Sequence, residues 1–215
     1  MEQTLLLFEK LKHCSEDRPE WNVIYDDFVG RLTMLEMGKS APAPGTPFPP
    51  ISLPDAQGEY RNISDFYRDG PVVISFNRGG WCPYCREELK QWSEAMPALK
   101  AAGGQLIVIA GEVSGRGDAL QAMLNHQAEV LCDVDHGAAL SLGIAFHAGA
   151  QLIKLYRDCG LDMADIYGTE SGILPIPATF VVDSMGIVRY AFVDPDFRER
   201  AKPEAVIEVL ASLSE

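Results

Sequence analysis

The chain has 215 residues, with 18 Lys and Arg against 31 Asp and Glu, a formal net charge of −13 with histidine neutral. Nucleic acid and anionic lipid need a basic footprint, and an acidic balance of this size with no basic run argues against both. Hydrophobic residues at 47% and charged residues at 23% are a globular mixture rather than a disordered one, and the length suits one domain plus an extension.

The longest apolar runs, Pro71 to Phe76 and Gln105 to Ala110, fall far short of the roughly 20 residues that cross a bilayer. The N-terminus carries Glu2 and Glu9 and lacks the positive start and long apolar core of a secretory signal, so the expectation is a cytoplasmic protein with no membrane partner. Leu5, Leu6, Phe8 and Leu11 suggest a short first helix. From Pro19 to Met37, Trp21, Ile24, Tyr25, Phe28, Val29, Leu32 and Leu35 lay one apolar stripe along a second. Residues 1–38 thus read as a helical arm whose stripe packs on a core, with a homodimer contact as the alternative. Residues 39–50 are too rich in proline and glycine for a helix or central strand and read as a linker to a domain over 45–215.

Beyond the linker, strand and helix signals alternate. Val72 to Phe76, Gln105 to Ala110 and Val130 to Cys132 read as buried strands, and Glu87 to Leu99, Gly117 to His126 and His136 to Leu142 as helices, the last ended by Gly143. Buried strands separated by helices imply a mainly parallel sheet. Thr179 to Val182 and Ile187 to Val193 flank the turn signal Asp183-Ser184-Met185-Gly186 as an antiparallel hairpin, and Pro203 to Leu213 reads as a final helix. A parallel βαβ half followed by a ββα half is a thioredoxin-like α/β fold. Residues 144–177 exceed that minimum and read as a partly helical insertion around Gln151 to Asp158.

The chemistry lies in Phe76-Asn77-Arg78-Gly79-Gly80-Trp81-Cys82-Pro83-Tyr84-Cys85-Arg86-Glu87-Glu88-Leu89, which follows a buried strand and opens a helix. Unpaired N–H groups and the positive dipole end at a helix start favour a thiolate, and Pro83 suits a first turn because its missing N–H has no helical partner there. Two cysteines three apart on one turn can close a short disulfide, so Cys82 and Cys85 can cycle between dithiol and disulfide without a cofactor. A zinc site would look the same over these two residues, with Cys132 and His136 or Cys14 and His13 as remaining ligands; the tryptophan before the pair and the proline inside it favour redox chemistry and no metal. Five cysteines are too few and too unevenly spaced for a disulfide scaffold: Cys132 reads as a small buried hydrophobe, and Cys14 and Cys159 as bystanders, with a resolving role as the alternative. His126 and His147 have no spaced partner.

With these residues the sequence resembles the peroxiredoxin-like branch of the alkyl hydroperoxide reductase and thiol-specific antioxidant family over about residues 45–213. The Arg-Gly-Gly-Trp-Cys-Pro-Tyr-Cys string carries the resemblance, supported by the stretch from Thr46 through Gly58, which looks like the family's opening hairpin, and by Thr179-Phe180-Val181-Val182-Asp183. The resemblance implies a thioredoxin-like fold and reduction of hydroperoxides by cysteine, with a thioredoxin- or glutaredoxin-like thiol donor as reductant. The family pattern of Pro, three residues, Thr or Ser, two residues and the attacking Cys places Arg78 at the proline, Cys82 at the Thr and Cys85 at the nucleophile. Where the family carries a peroxide-orienting Arg, this chain has Pro177, which matches the proline of thioredoxins, there usually cis, beside the cysteine pair. In a thioredoxin the nucleophile would be Cys82, so the attacking thiol stays open.

Three readings follow. In a peroxidase, a thiolate attacks the O–O bond, its neighbour condenses with the sulfenic acid, and Arg78 or Arg86 lowers the thiol pKa and polarises the peroxide; the plainer alternative pairs these arginines with Glu87 or Glu88 at the surface. In a protein disulfide reductase, Cys82 attacks, Cys85 resolves, and Trp81 and Pro177 line a docking groove. In a redox-sensing or binding module, the pair turns nothing over.

Overall fold

The computed structural model describes residues 2–16 and 20–213. Pro19, expected in the first turn of the second helix, lies outside them. Helices α1 (Glu2–Glu16) and α2 (Glu20–Met34) come first. The second stops short of Met37 because Glu36 takes a left-handed φ of 52° and the Met37 N–H turns back to the Leu32 carbonyl. Trp21, Tyr25, Phe28 and Leu32 are buried in the main core, so the stripe serves packing within the chain. The proline-rich segment is tied down: Gly45 and Phe48 donate to the Val188 and Gly186 carbonyls, both at 2.8 Å, and Val188 donates to Thr46 at 2.9 Å.

An antiparallel hairpin, β1 (Ser52–Pro54) and β2 (Tyr60–Asn62), leads into α3 (Ile63–Tyr67). Then come β3 (Val72–Asn77), α4 (Pro83–Ala101), β4 (Gln105–Ala110), α5 (Gly117–Met123) and β5 (Glu129–Cys132). A 3₁₀ turn at Val134–His136 precedes α6 (Gly137–Ser141). The insertion holds β6 (Ala145–His147), α7 (Gly149–Asp158), α8 (Met163–Tyr167) and β7 (Ile173–Pro175), with β6 and β7 paired antiparallel. Strands β8 (Ala178–Val182) and β9 (Val188–Val193) and helix α9 (Pro203–Ser212) complete the chain.

The central sheet has the order β5-β4-β3-β8-β9, with β3, β4 and β5 parallel and β8 and β9 antiparallel to their neighbours. Alternation along each strand divides the core. Val73, Leu106, Val108 and Val181 meet Leu89, Trp92, Met96 and Leu99 of α4 and Val206 and Leu210 of α9. On the opposite face Ile74, Phe76, Ile107, Ile109 and Phe180 meet the arm and the insertion. Every side chain of β3 is buried, which fixes the strand that leads into the cysteine motif.

Three local expectations are corrected. Helix α4 starts at Pro83 rather than Glu87, because the proline supplies the first-turn φ and Cys82 takes the extended N-cap conformation. Asn125 and His126, at φ of 51° and 55°, end α5 before His126. The helix expected from His136 is broken there, since Asp135 and His136 both adopt positive φ and the α-helical turn starts at Gly137.

Two further corrections concern the site. Cys14 and Cys159 are not bystanders: their Cα atoms lie 5.7 Å apart and they form a disulfide that ties α1 to the end of α7. Among the described residues there is no cis peptide bond, so Pro177 departs from the thioredoxin proline it was matched to. It is buried, one residue beyond the Phe76–Ala178 pair, at the end of β3 from which the motif departs.

Candidate active site

The motif turns from β3 into α4 through Arg78 to Trp81. Gly79 has φ of 122°, and a Cβ there would stand 2.4 Å from Cδ of Glu112, so only glycine lets that carboxylate approach. Glu112 accepts the Gly80 N–H at 2.9 Å. The Cys82 N–H reaches the Gly79 carbonyl at 3.2 Å, and Cys82 then caps α4 with Pro83 following. Both sulfurs therefore lie in the field of the helix N-terminus.

Cys82 is 1% exposed and borders a cavity of about 240 Å³, lined also by Leu11, Tyr25, Arg78, Tyr156 and Phe197. Arg78 is equally buried. Among the described residues it has no carboxylate partner: Nη2 donates to the Tyr156 hydroxyl at 2.6 Å, and the guanidinium lies 4.9 Å from the Trp81 ring and 4.4 Å from that of Phe197. A buried cation without an anion is costly, so the site favours negative charge at Cys82. Burial pushes that thiol up, but a hydrogen bond from Cys85, Arg78 and Arg200 outweigh it and draw Cys82 down to about 6 from the usual 9.0.

Cys85 is fully buried and lies outside that cavity. Its sulfur accepts the Arg78 N–H at 3.4 Å and Nη2 of Arg200 at 3.3 Å. Arg200 already has a carboxyl partner in Glu88, Nε to Oε2 at 2.7 Å, whereas among the described residues Arg78 has none. Burial and the neighbouring Cys82 therefore push the Cys85 thiol up, and it keeps the proton that it shares with Cys82. Burial also lifts two carboxyls to about 7 against the pull of their partners: Glu88, which holds Arg200 and Ser75, and Glu112, which accepts from Gly80 and faces Arg116.

The structure brings Cys82, Cys85, Arg78, Trp81 and Pro83 together as the sequence suggested. The surface pairing of Arg78 or Arg86 with Glu87 or Glu88 is overturned: Arg78 is buried, Glu88 belongs to Arg200, and Arg86 donates to the Gly80 carbonyl at 3.2 Å while covering the Phe8 ring. Trp81 is wholly buried, and its Nε1 donates to the Arg78 carbonyl and the Tyr167 hydroxyl, both at 3.0 Å; it borders the cavity rather than an open groove. Cys132 is free and half-buried, not sealed in, because its thiol reaches the Glu112 carbonyl at the rim of a separate cavity; burial, Asp133 and Glu112 raise it to about 11. Among the described residues no group of three or more His, Cys, Asp and Glu side chains is arranged to hold a metal.

Tyr156, Tyr167, Glu112 and Arg200 escaped the sequence reading. Each comes from a segment far from the motif, and no local pattern marks it. Glu88 sits in the motif, but only its burial distinguishes it from Glu87.

Two free cysteines three apart at a helix start, one of them drawn toward the thiolate, are an arrangement suited to thiol–disulfide chemistry, here on a thioredoxin-like sheet. The chain belongs to the AhpC/TSA family, whose description matches residues 44–191, and it is of peroxiredoxin type. It is similar to the thiol-disulfide oxidoreductase ResA of Bacillus cereus (strain ATCC 10987 / NRS 248), 23% identical over 165 residues, 77% of this chain and 74% of the relative. Chloroplastic peroxiredoxin Q of Sedum lineare is 23% identical over 169 residues, 79% of this chain and 78% of that protein. The crystal structure of reduced Prx3 from Vibrio vulnificus in complex with hydrogen peroxide shares the fold at a TM-score of 0.62 and 17% identity, over 78% of this chain and 98% of that one.

Proposed function

We propose that this protein reduces hydroperoxides with Cys82 as the attacking thiolate and Cys85 as its resolving partner. The observation that carries this reading is the placement of Cys82 alone of the pair on the cavity of about 240 Å³, beside a buried arginine that has no carboxylate partner among the described residues. The Cys82 sulfur attacks the nearer peroxide oxygen; the S–O bond forms as the O–O bond breaks, and the departing alkoxide takes a proton to leave as an alcohol. Arg78, oriented by Tyr156, holds the thiolate and then faces the oxygen on which charge develops. Cys85 next attacks the Cys82 sulfenic acid, releasing water and closing the disulfide. An external thioredoxin- or glutaredoxin-like dithiol restores the pair, its own two thiols becoming a disulfide.

Peroxide consumption by the reduced protein, followed in single turnovers, tests the assignment. Cys85→Ser should still react once and trap a sulfenic acid on Cys82, whereas Cys82→Ser should lose the fast phase. The reverse result moves the nucleophile to Cys85, the position that the family spacing marks. A second reading, a protein disulfide reductase using the same Cys82, is favoured by the cysteine pair at a helix start and by the likeness to a protein named a thiol-disulfide oxidoreductase. Ready reduction of insulin disulfides with peroxide reacting no faster than with a free thiol would establish it.

A further inference from the structure

Helix α1 lies directly over the cysteine motif. Thr4 is buried so close to Gly80 that a Cβ on the glycine would meet its methyl at 2.4 Å. One turn on, the Phe8 ring lies 4.5 Å beneath the Arg86 guanidinium, and Leu11, Lys12 and Ser15 line the Cys82 cavity. The packing of the helix is partial: of its described side chains only Thr4 and Leu11 are buried, Leu7 and Cys14 are half-buried against the core, and Leu5 and Leu6 point outward at 44% and 54% exposure. A helix of 15 residues with such partial packing is marginal by itself. The strongest tether is the Cys14–Cys159 disulfide, which joins positions 145 apart in sequence and sits three residues past Tyr156, a wall of the same cavity.

We propose that Cys14–Cys159 is a second redox site of this protein, a latch that holds α1 as a lid over Cys82 while oxidised and releases it when reduced. Latched, the cavity admits small hydroperoxides and excludes polypeptides. Unlatched, the Cys82–Cys85 pair becomes accessible to a macromolecular dithiol or disulfide. The step balances: a thiolate of an external dithiol attacks one sulfur of the latch, its second thiol displaces the protein sulfur, and the donor leaves as a disulfide. Its two electrons and two protons remain on Cys14 and Cys159. The inference rests on the reading of Cys82 as the attacking thiol, and it makes electron supply to the pair conditional on the redox state of the latch.

Thiol labelling tests the latch without any turnover. In full-length Cys85→Ser protein with Cys14–Cys159 oxidised, the rate at which Cys82 reacts with iodoacetamide is compared with its rate toward a polyethylene-glycol maleimide of several kilodaltons, and peptide mass spectrometry locates the label. The ratio of large-reagent to small-reagent rates should rise roughly tenfold or more when Cys14→Ser or Cys159→Ser is added, or when the latch is reduced chemically. An unchanged ratio, or ready access of the large reagent with the latch closed, overturns the proposal. Should a serine variant lose its near-ultraviolet circular dichroism, the chemically reduced protein supplies the same comparison. Peroxide consumption by the latched protein separately tests the peroxidase reading, so failure of one is not mistaken for failure of the other.

Discussion

Replacing Arg78 with methionine isolates the charge that sets the Cys82 thiolate. The side chain has similar length and suits the aromatic walls of Trp81 and Phe197. The lowering of Cys82 from 9.0 to about 6 favours the anion by about 4 kcal/mol. Without Arg78, burial is opposed by the Cys85 hydrogen bonds, the helix start and Arg200, which Glu88 shares, so the midpoint should rise toward 9.0. In the limit of a full return to 9.0, the thiolate fraction at pH 7 falls from about 90% to about 1%. Each remaining thiolate is roughly 20-fold more nucleophilic, because nucleophilicity rises with basicity at a slope of about 0.4–0.5. The alkylation rate at pH 7 therefore drops only about fourfold, and the midpoint of the iodoacetamide rate against pH is the sharper readout. Peroxide turnover should fall further than alkylation, since Arg78 also faces the charge that develops on oxygen. A midpoint that stays near 6 in a folded Arg78→Met protein would refute the argument and assign the lowering to the helix start and Cys85.

Two further outcomes test the frame around the motif. Glu112 titrates near 7 when folded and at 4.5 otherwise, so its contribution to stability is complete below pH 4.5 and is lost as pH rises through 7. Glu112→Gln can still accept the Gly80 N–H, and it should remove a decline on the order of 3 kcal/mol between pH 5 and pH 8, measured by urea unfolding of the reduced protein. An identical pH dependence in both proteins counts against a buried, proton-sharing Glu112. Gly79→Ala meets both a positive φ and the Glu112 side chain and should cost about 2–4 kcal/mol in the same assay. Gly103→Ala, also at positive φ but with open space around it, should cost only about 1 kcal/mol. Equal losses would show that the close approach of Glu112 is unimportant.

The cysteine pair after a buried strand, the thioredoxin-like order of elements and the fit of Pro83 to a first turn were legible because each rests on neighbours in sequence: strand alternation, N-terminal proline chemistry and cysteine spacing. What the sequence concealed is the environment that separates the two sulfurs. Arg78 looks like any motif arginine until the rings of Trp81, Tyr156 and Phe197 close around it, and the last two come from distant elements. Cys14 and Cys159 failed for the same reason: a pairing across the whole domain leaves no periodicity to detect. Positive φ at Asn125 and His126 likewise ended α5 early, and at Asp135 and His136 it held the next helix back to Gly137, because local turn geometry overrode the apolar pattern.

Strand β3 carries a consequence for how the protein comes into being. It pairs with β4 on one side, but its other edge waits for β8, with Phe76 set against Ala178. Cys82 and Cys85 leave the ribosome long before Tyr156, Tyr167 and Arg200, and contacts between segments so far apart in sequence form slowly. Until the C-terminal segments dock, β3 has only its β4 edge covered and the pair lacks Tyr156 and Arg200 beside it. The setting that separates the two sulfurs is therefore completed only when the last third of the chain has folded against the motif.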